Sequence, residues 1–134
     1  MVNLVMVTHG DLAVALKETA EMLVGEQEHI SMFGLHLGDS VDALRMQVSE
    51  ELEHLSGQGE VLVLTDMMFG SPFNISCSLM SKFDFEHLTG INLPVLLEIL
   101  SSRDGLTAKE LVEVALKAGP GTLLDARRYF EEVS

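Results

Sequence analysis

A histidine that closes one apolar run and an aspartate that closes another are the residues of this chain best suited to chemistry. His9 follows the run Val2 to Val7, and Asp66 follows Val61-Leu62-Val63-Leu64-Thr65. Side by side, such a pair has a specific use. A carboxylate that accepts a hydrogen bond from one ring nitrogen fixes the imidazole tautomer. The other nitrogen then keeps a lone pair and can act as a nucleophile. The flanking residues suit an anion, because a helix starts right after His9-Gly10-Asp11 and another starts at Ser71-Pro72. Helix N-termini offer unpaired N–H groups and the positive end of the dipole. No Lys or Arg lies between Met1 and Ala15 or between Glu60 and Ser81, so a phosphoryl group on His9 would be held by backbone donors, with Ser71 adding a hydroxyl. Each residue also has an ordinary reading: strand-end His and Asp are commonly turn or cap residues, and Ser-Pro starts helices where nothing binds.

Whether these residues meet depends on the elements that carry them, and the chain reads as strands and helices in alternation. Strands are expected at Val2 to Val7, His29 to Leu35, Val61 to Leu64 and Phe85 to Thr89; the tail from Gly121 to Phe130 is ambiguous, with Thr122-Leu123-Leu124 open as a short fifth strand. Helices are expected over Leu12 to Val24, with Leu12, Leu16, Ala20 and Leu23 inward, and from about Asp42 to Leu55. Others start at Ser71, run from Pro94 to Leu100, and open at the capping box Thr107 to Glu110. Alternation on this scale implies an α/β fold with a doubly wound, mostly parallel sheet of four to five strands. In the flavodoxin-like strand order the switch point lies between the first and third strands, which are the strands that deliver His9 and Asp66.

Length and charge bound the function. The 134 residues are one domain's worth. Eight Lys and Arg against 21 Asp and Glu give −13, the wrong sign for a nonspecific grip on nucleic acid or an anionic membrane. The single Cys77 excludes a disulfide framework and a cysteine-rich zinc module. No run reaches the ~18 apolar residues of a membrane span, and Met1 to Val7 lacks the basic start of a signal peptide. A reduced, cytoplasmic compartment is the expectation.

Thr8-His9-Gly10, Asp66 with Gly70-Ser71-Pro72-Phe73-Asn74, and Gly90-Ile91-Asn92-Leu93-Pro94 occur in this order, with the stretch TAEMLVGEQE from Thr19 to Glu28 between the first and second. Together they resemble the IIA component of the mannose family of the phosphoenolpyruvate-dependent sugar phosphotransferase system, from Val2 to about Arg103. The resemblance implies a phosphotransferase with a phosphohistidine intermediate and no cofactor. His9 would take a phosphoryl group from the phosphocarrier protein HPr and pass it to a IIB component, and Asp66 would orient the ring. Thr8, Gly10, Gly70 and Ser71 would line the phosphoryl pocket. Sugar choice would rest with the membrane components IIC and IID, and the IIB component would be a separate chain. The resemblance also implies a homodimer that exchanges its last strand, the segment at Thr122 to Ala126. One departure concerns the two glycines the family usually has before Ser71; here the first is Phe69, unwelcome if that position needs φ > 0.

The remaining candidates carry less. His29, His36, His54 and His87 are scattered and read as solvent-facing or packed, not as metal ligands; Cys77 reads as a buried, inert thiol. Met67 and Met68 are candidates for an apolar docking rim. Competing functions are a IIA-like phosphoryl donor of a dihydroxyacetone kinase and a regulatory or binding module on the same fold. A flavin module would want a hydroxyl-rich first loop and flanking aromatics, and an aspartate-phosphorylated receiver would want an acidic pair near the first strand. Val7-Thr8-His9-Gly10 supplies neither.

Overall fold

The computed structural model describes residues 1–134. Its centre is a pair of strands, β1 (Asn3–His9) and β3 (Val61–Thr65), buried along nearly their whole length. Such strands need cover on both faces, and alternation sorts their side chains between the two. Leu4, Met6, Leu62 and Leu64 point to one side, and Val5, Val7, Val61 and Val63 to the other. The edge strands β2 (Ile30–Leu35) and β4 (Glu86–Thr89) are half-buried throughout. All pairings are parallel, in the order β2-β1-β3-β4. The order reverses between β1 and β3, as expected, so their carboxyl ends form the switch point.

Helices α1 (Leu12–Val24), α4 (Leu93–Ser102) and α5 (Ala108–Ala118) cover one face. Helices α2 (Val41–Leu55) and α3 (Ser71–Leu79) cover the other. The α2 stripe is as read, with Leu44, Val48, Leu52 and Leu55 buried. The α1 face is rotated from its expectation: Ala13 and Ala20 are buried with Leu16 against the core, while Leu12 and Leu23 are exposed. Small residues let α1 lie close to the sheet, and the period alone could not separate that face from its neighbour. The capping box at Thr107 and Glu110 forms with both of its hydrogen bonds. No helix is long and apolar enough to cross a membrane.

At the end of the sheet away from the switch point, Arg103 is buried, with no carboxylate among its partners. Its guanidinium donates to the carbonyls of Val2, Glu28 and His29 and to Gln27 Oε1. Burial lowers its pKa. One side chain thus ties the start of β1 to the loop before β2, satisfying carbonyls that would be costly to bury alone.

The fifth strand expected at Thr122 to Ala126 does not form within the single chain. Gly119–Thr122 is a 3-10 turn, Leu123 is extended and 89% exposed, and α6 (Ala126–Val133) follows with no buried residue. The turn is held by Asn92 Nδ2 donating to Thr122 Oγ1 at 2.9 Å. Beyond it Leu123 and Leu124 stay mostly exposed and pair with no strand of the same chain.

Candidate functional site

The site forms where β1 and β3 end. Thr8, fully buried, turns its hydroxyl to accept the Ala13 N–H at 2.9 Å, satisfying one orphan donor of α1. Gly10 turns the chain at φ +53, and its N–H donates to the Leu35 carbonyl at 2.8 Å. Thr8 and Gly10, expected in the pocket lining, hold the turn from beneath, with the Thr8 hydroxyl and the Gly10 N–H engaged by Ala13 and Leu35. What they present upward is the His9 side chain, 46% exposed.

The end of β3 is fixed from the other side. The Thr65 carbonyl accepts the N–H groups of Gly90 and Ile91, and its hydroxyl donates to Thr89 Oγ1 at 2.8 Å. His87 Nε2 lies 2.8 Å from the same hydroxyl, and His87 Nδ1 lies 3.8 Å from Cys77 Sγ. Burial lowers the pKa of His87, which favours a neutral ring joining β4 to α3. Cys77 is half-exposed, not buried as expected from its place in the helix. Sequence reading missed this network, since nothing in a linear pattern pairs residues 65, 77 and 87.

Asp66 follows at once. Its Oδ2 accepts the His9 backbone N–H at 2.9 Å and faces His9 Nδ1 at 2.8 Å, and its Oδ1 accepts the Met67 N–H at 3.0 Å. Burial pushes this carboxyl up, but the backbone and ring N–H groups of His9 outweigh burial and hold it below the usual carboxylate range. An ionised Asp66 accepts from Nδ1–H, so the Nε2 lone pair is left outward.

Gly70 lies against the edge of the ring that carries that nitrogen. A Cβ on Gly70 would lie 2.7 Å from His9 Cε1 and 3.3 Å from Nε2, so only glycine lets the backbone lie flat on the ring. Gly70, not Ser71, is the N-cap of α3; Ser71 and Pro72 occupy its first turn. Pro72 has no N–H, which leaves those of Ser71 and Phe73 without an intrahelical partner. The structure thus brings His9, Asp66 and Gly70 together, with Ser71 next to Gly70 in the first turn of α3.

The loop between Asp66 and Gly70 carries Met67, Met68 and Phe69, all more than half exposed. Phe69 adopts φ +68, the left-handed conformation that favours glycine. The cost for a bulky residue is about 1–2 kcal/mol. Its ring packs edge-on to Phe73 at 5.8 Å, and Phe73 packs on His87 at 5.4 Å. An aromatic pair contributes about 0.5–1.5 kcal/mol beyond burial, enough to offset much of that strain.

Comparison with known proteins agrees with this fold. Residues 3–116 match the family model EIIA-man, described as the PTS system fructose IIA component. The fructose-specific EIIA component of Bacillus subtilis is 32% identical over 84% of this chain and 77% of its own length. The mannose-specific EIIAB component of Escherichia coli K12 is 36% identical over 88% of this chain, which spans only 37% of that longer protein. The crystal structure of phosphotransferase system component EIIA from Streptococcus agalactiae superposes with a TM-score of 0.87. It is 26% identical and covers 96% of this chain and 99% of that one. A parallel sheet that sets a carboxylate-anchored imidazole at its switch point, in a sequence matched over most of its length, places this chain in the mannose-type IIA family of the sugar phosphotransferase system, the phosphoryl carriers of sugar uptake.

Proposed function

We propose that His9 Nε2 is the atom that carries the phosphoryl group, between phosphorylated HPr and a IIB component. The observation that supports this most is the 2.8 Å contact of Asp66 Oδ2 with His9 Nδ1, which leaves Nε2 as the free nucleophile. In the transfer the Nε2 lone pair attacks phosphorus. The N–P bond of the donor breaks, and its electrons return to the donor's imidazole. The His9 ring becomes cationic while it keeps the Nδ1 proton, and Asp66 stabilises that charge. The N–H groups of Ser71 and Phe73 and the Ser71 hydroxyl receive the phosphoryl oxygens. Met67, Met68 and Phe69 form the apolar rim on which either partner rests. We place the protein in the cytoplasm, with the IIC and IID membrane components reached only through IIB.

Incubation with phosphoenolpyruvate, enzyme I and HPr is the test. The intact mass should rise by one phosphoryl group, removable by mild acid and passed on when a IIB component is added. An unchanged mass, with HPr itself phosphorylated, would reject the reading.

The same reading includes a homodimer in which the segment near Leu123 and Leu124 crosses to a second copy. Its support is the free outer edge of β4 and the uncovered Leu123, Leu124, Tyr129, Phe130 and Val133. Sedimentation equilibrium at micromolar concentration should give twice 14.7 kDa. A monomer alone would count against the exchange.

A further inference from the structure

A second histidine stands at the mouth of the site. His36 follows Leu35, the residue paired with His9 across β1 and β2. Its Nε2 lies 2.7 Å from Asp11 Oδ1, and its Nδ1 lies 3.4 Å from Asp39 Oδ2, the oxygen that also accepts the His36 backbone N–H at 2.7 Å. A neutral imidazole has one N–H and can serve one carboxylate; two carboxylates facing two ring nitrogens favour the imidazolium. Asp11 is available because it makes no side-chain cap on α1, a role that Thr8 fills instead. The loops are in close contact: a Cβ on Gly34 would lie 2.0 Å from the Gly10 carbonyl oxygen and 3.4 Å from His36 Cε1. The charged groups facing the ring are Asp11 from the β1–α1 turn and Asp39 from its own loop. The N-terminal dipole ends of α1 and α2 oppose the cation. Asp11 first, against a smaller effect of desolvation, and then Asp39 hold the ring above the ordinary imidazole value, so its charge persists to higher pH than that of a free imidazole and is lost as pH rises through the raised value.

We propose that His36, held as an imidazolium between Asp11 and Asp39, is a positioning residue for transfer at His9: it cancels the Asp11 carboxylate at the mouth of the site and ties the turn after His9 to the β2–α2 loop. The inference rests on the phosphocarrier reading. A phosphoryl group on His9 brings close to two negative charges, and an unpaired Asp11 carboxylate two residues away opposes it. For a separation taken as about 10 Å in water, one carboxylate acting on about two phosphoryl charges slows transfer about fourfold. The groups are exposed, so salt screens the effect.

Two measurements test this. Ring-nitrogen NMR of the unphosphorylated protein should show both His36 nitrogens protonated at pH 7, with the midpoint falling toward the ordinary value of about 6.5 in Asp11→Asn. Transfer from phosphorylated HPr should be about fourfold slower in His36→Gln at low salt and pH 6.5. That difference should vanish in about 1 M salt, in the Asp11→Asn background, and above the pH at which the parent ring loses its proton. His36→Lys should restore the rate. A neutral His36 ring at pH 7, an unchanged rate in His36→Gln, or a slowing that persists at high salt and high pH would each overturn the proposal. A parent that accepts no phosphoryl group overturns the phosphocarrier reading as well, whereas a labelled parent with an insensitive His36→Gln variant overturns this one alone.

Discussion

His9→Ala should accept no phosphoryl group from phosphorylated HPr, while His54→Ala should be labelled as the parent is. The expectation follows from what each imidazole has free. Both ring nitrogens of His36 face carboxylates. The ring of His87 is partly buried between Thr65 and Cys77. His29 lies in the loop before β2 at the opposite end of the sheet, and His54 lies in the last turn of α2. Only His9 joins one nitrogen anchored on a carboxylate, a second nitrogen open to a partner, and a helix N-terminus laid against the ring. Its exposure means that alanine removes little packing, so the variant should fold and melt near the parent. Acid-labile label measured by mass spectrometry against a folded His9→Ala protein reads the effect without a stability confound. Undiminished labelling would remove His9, and the mechanism built on it.

The residues that carry this argument were unequally visible in the sequence. The central strands announce themselves, because Val61 to Leu64 must be covered on both faces, and the order rule then sets His9 beside Asp66 without any knowledge of contacts. Caps with local chemistry, such as Thr107 with Glu110 and Asn92 at the start of α4, are equally legible, since both partners lie within one turn. Interactions that close across the fold are not. Arg103 reaches carbonyls more than 70 residues away, and Thr65 meets His87 only because β3 and β4 pair in one register. His36 reads as a scattered surface histidine until β2 is laid beside β1, which brings it to Asp11. The glycine expected at Phe69 raises the question of a left-handed conformation there without deciding it, and the aromatic packing beside it leaves no linear signal. The C-terminal segment is ambiguous in the sequence and forms no strand within the single chain, because strand formation there needs a pairing edge that local sequence does not encode.

Asp66→Asn tests whether the carboxylate is part of the transfer machinery or only a turn residue. Every oxygen of Asp66 faces a donor: Oδ2 receives two N–H groups of His9, and Oδ1 receives that of Met67. An asparagine has one oxygen and one NH2, so its amide must turn a donor against a donor whichever way it is placed. With the oxygen toward His9, the NH2 meets the Met67 N–H and the loop over the site is loosened. With the amide flipped, the NH2 faces His9 Nδ1, favours the tautomer protonated on Nε2, and removes the lone pair that attacks phosphorus. In both placements the charge opposite the developing imidazolium is gone. A tautomer-fixing aspartate in the serine-protease triad is worth about 10⁴-fold. His9 is half-exposed and the transfer is reversible, so a loss on the order of 10²-fold is expected, about 2.7 kcal/mol of barrier. The carboxyl is held below the usual range, so it stays ionised at neutral pH and loses its charge only as pH falls through that lowered value. Its own titration therefore adds no step to the parent rate above about pH 4. Rapid-quench measurement of transfer from phosphorylated HPr reads the difference. A rate within about threefold of the parent, under 1 kcal/mol, would mean that Asp66 serves the loop alone and that the His9 tautomer is set by something else.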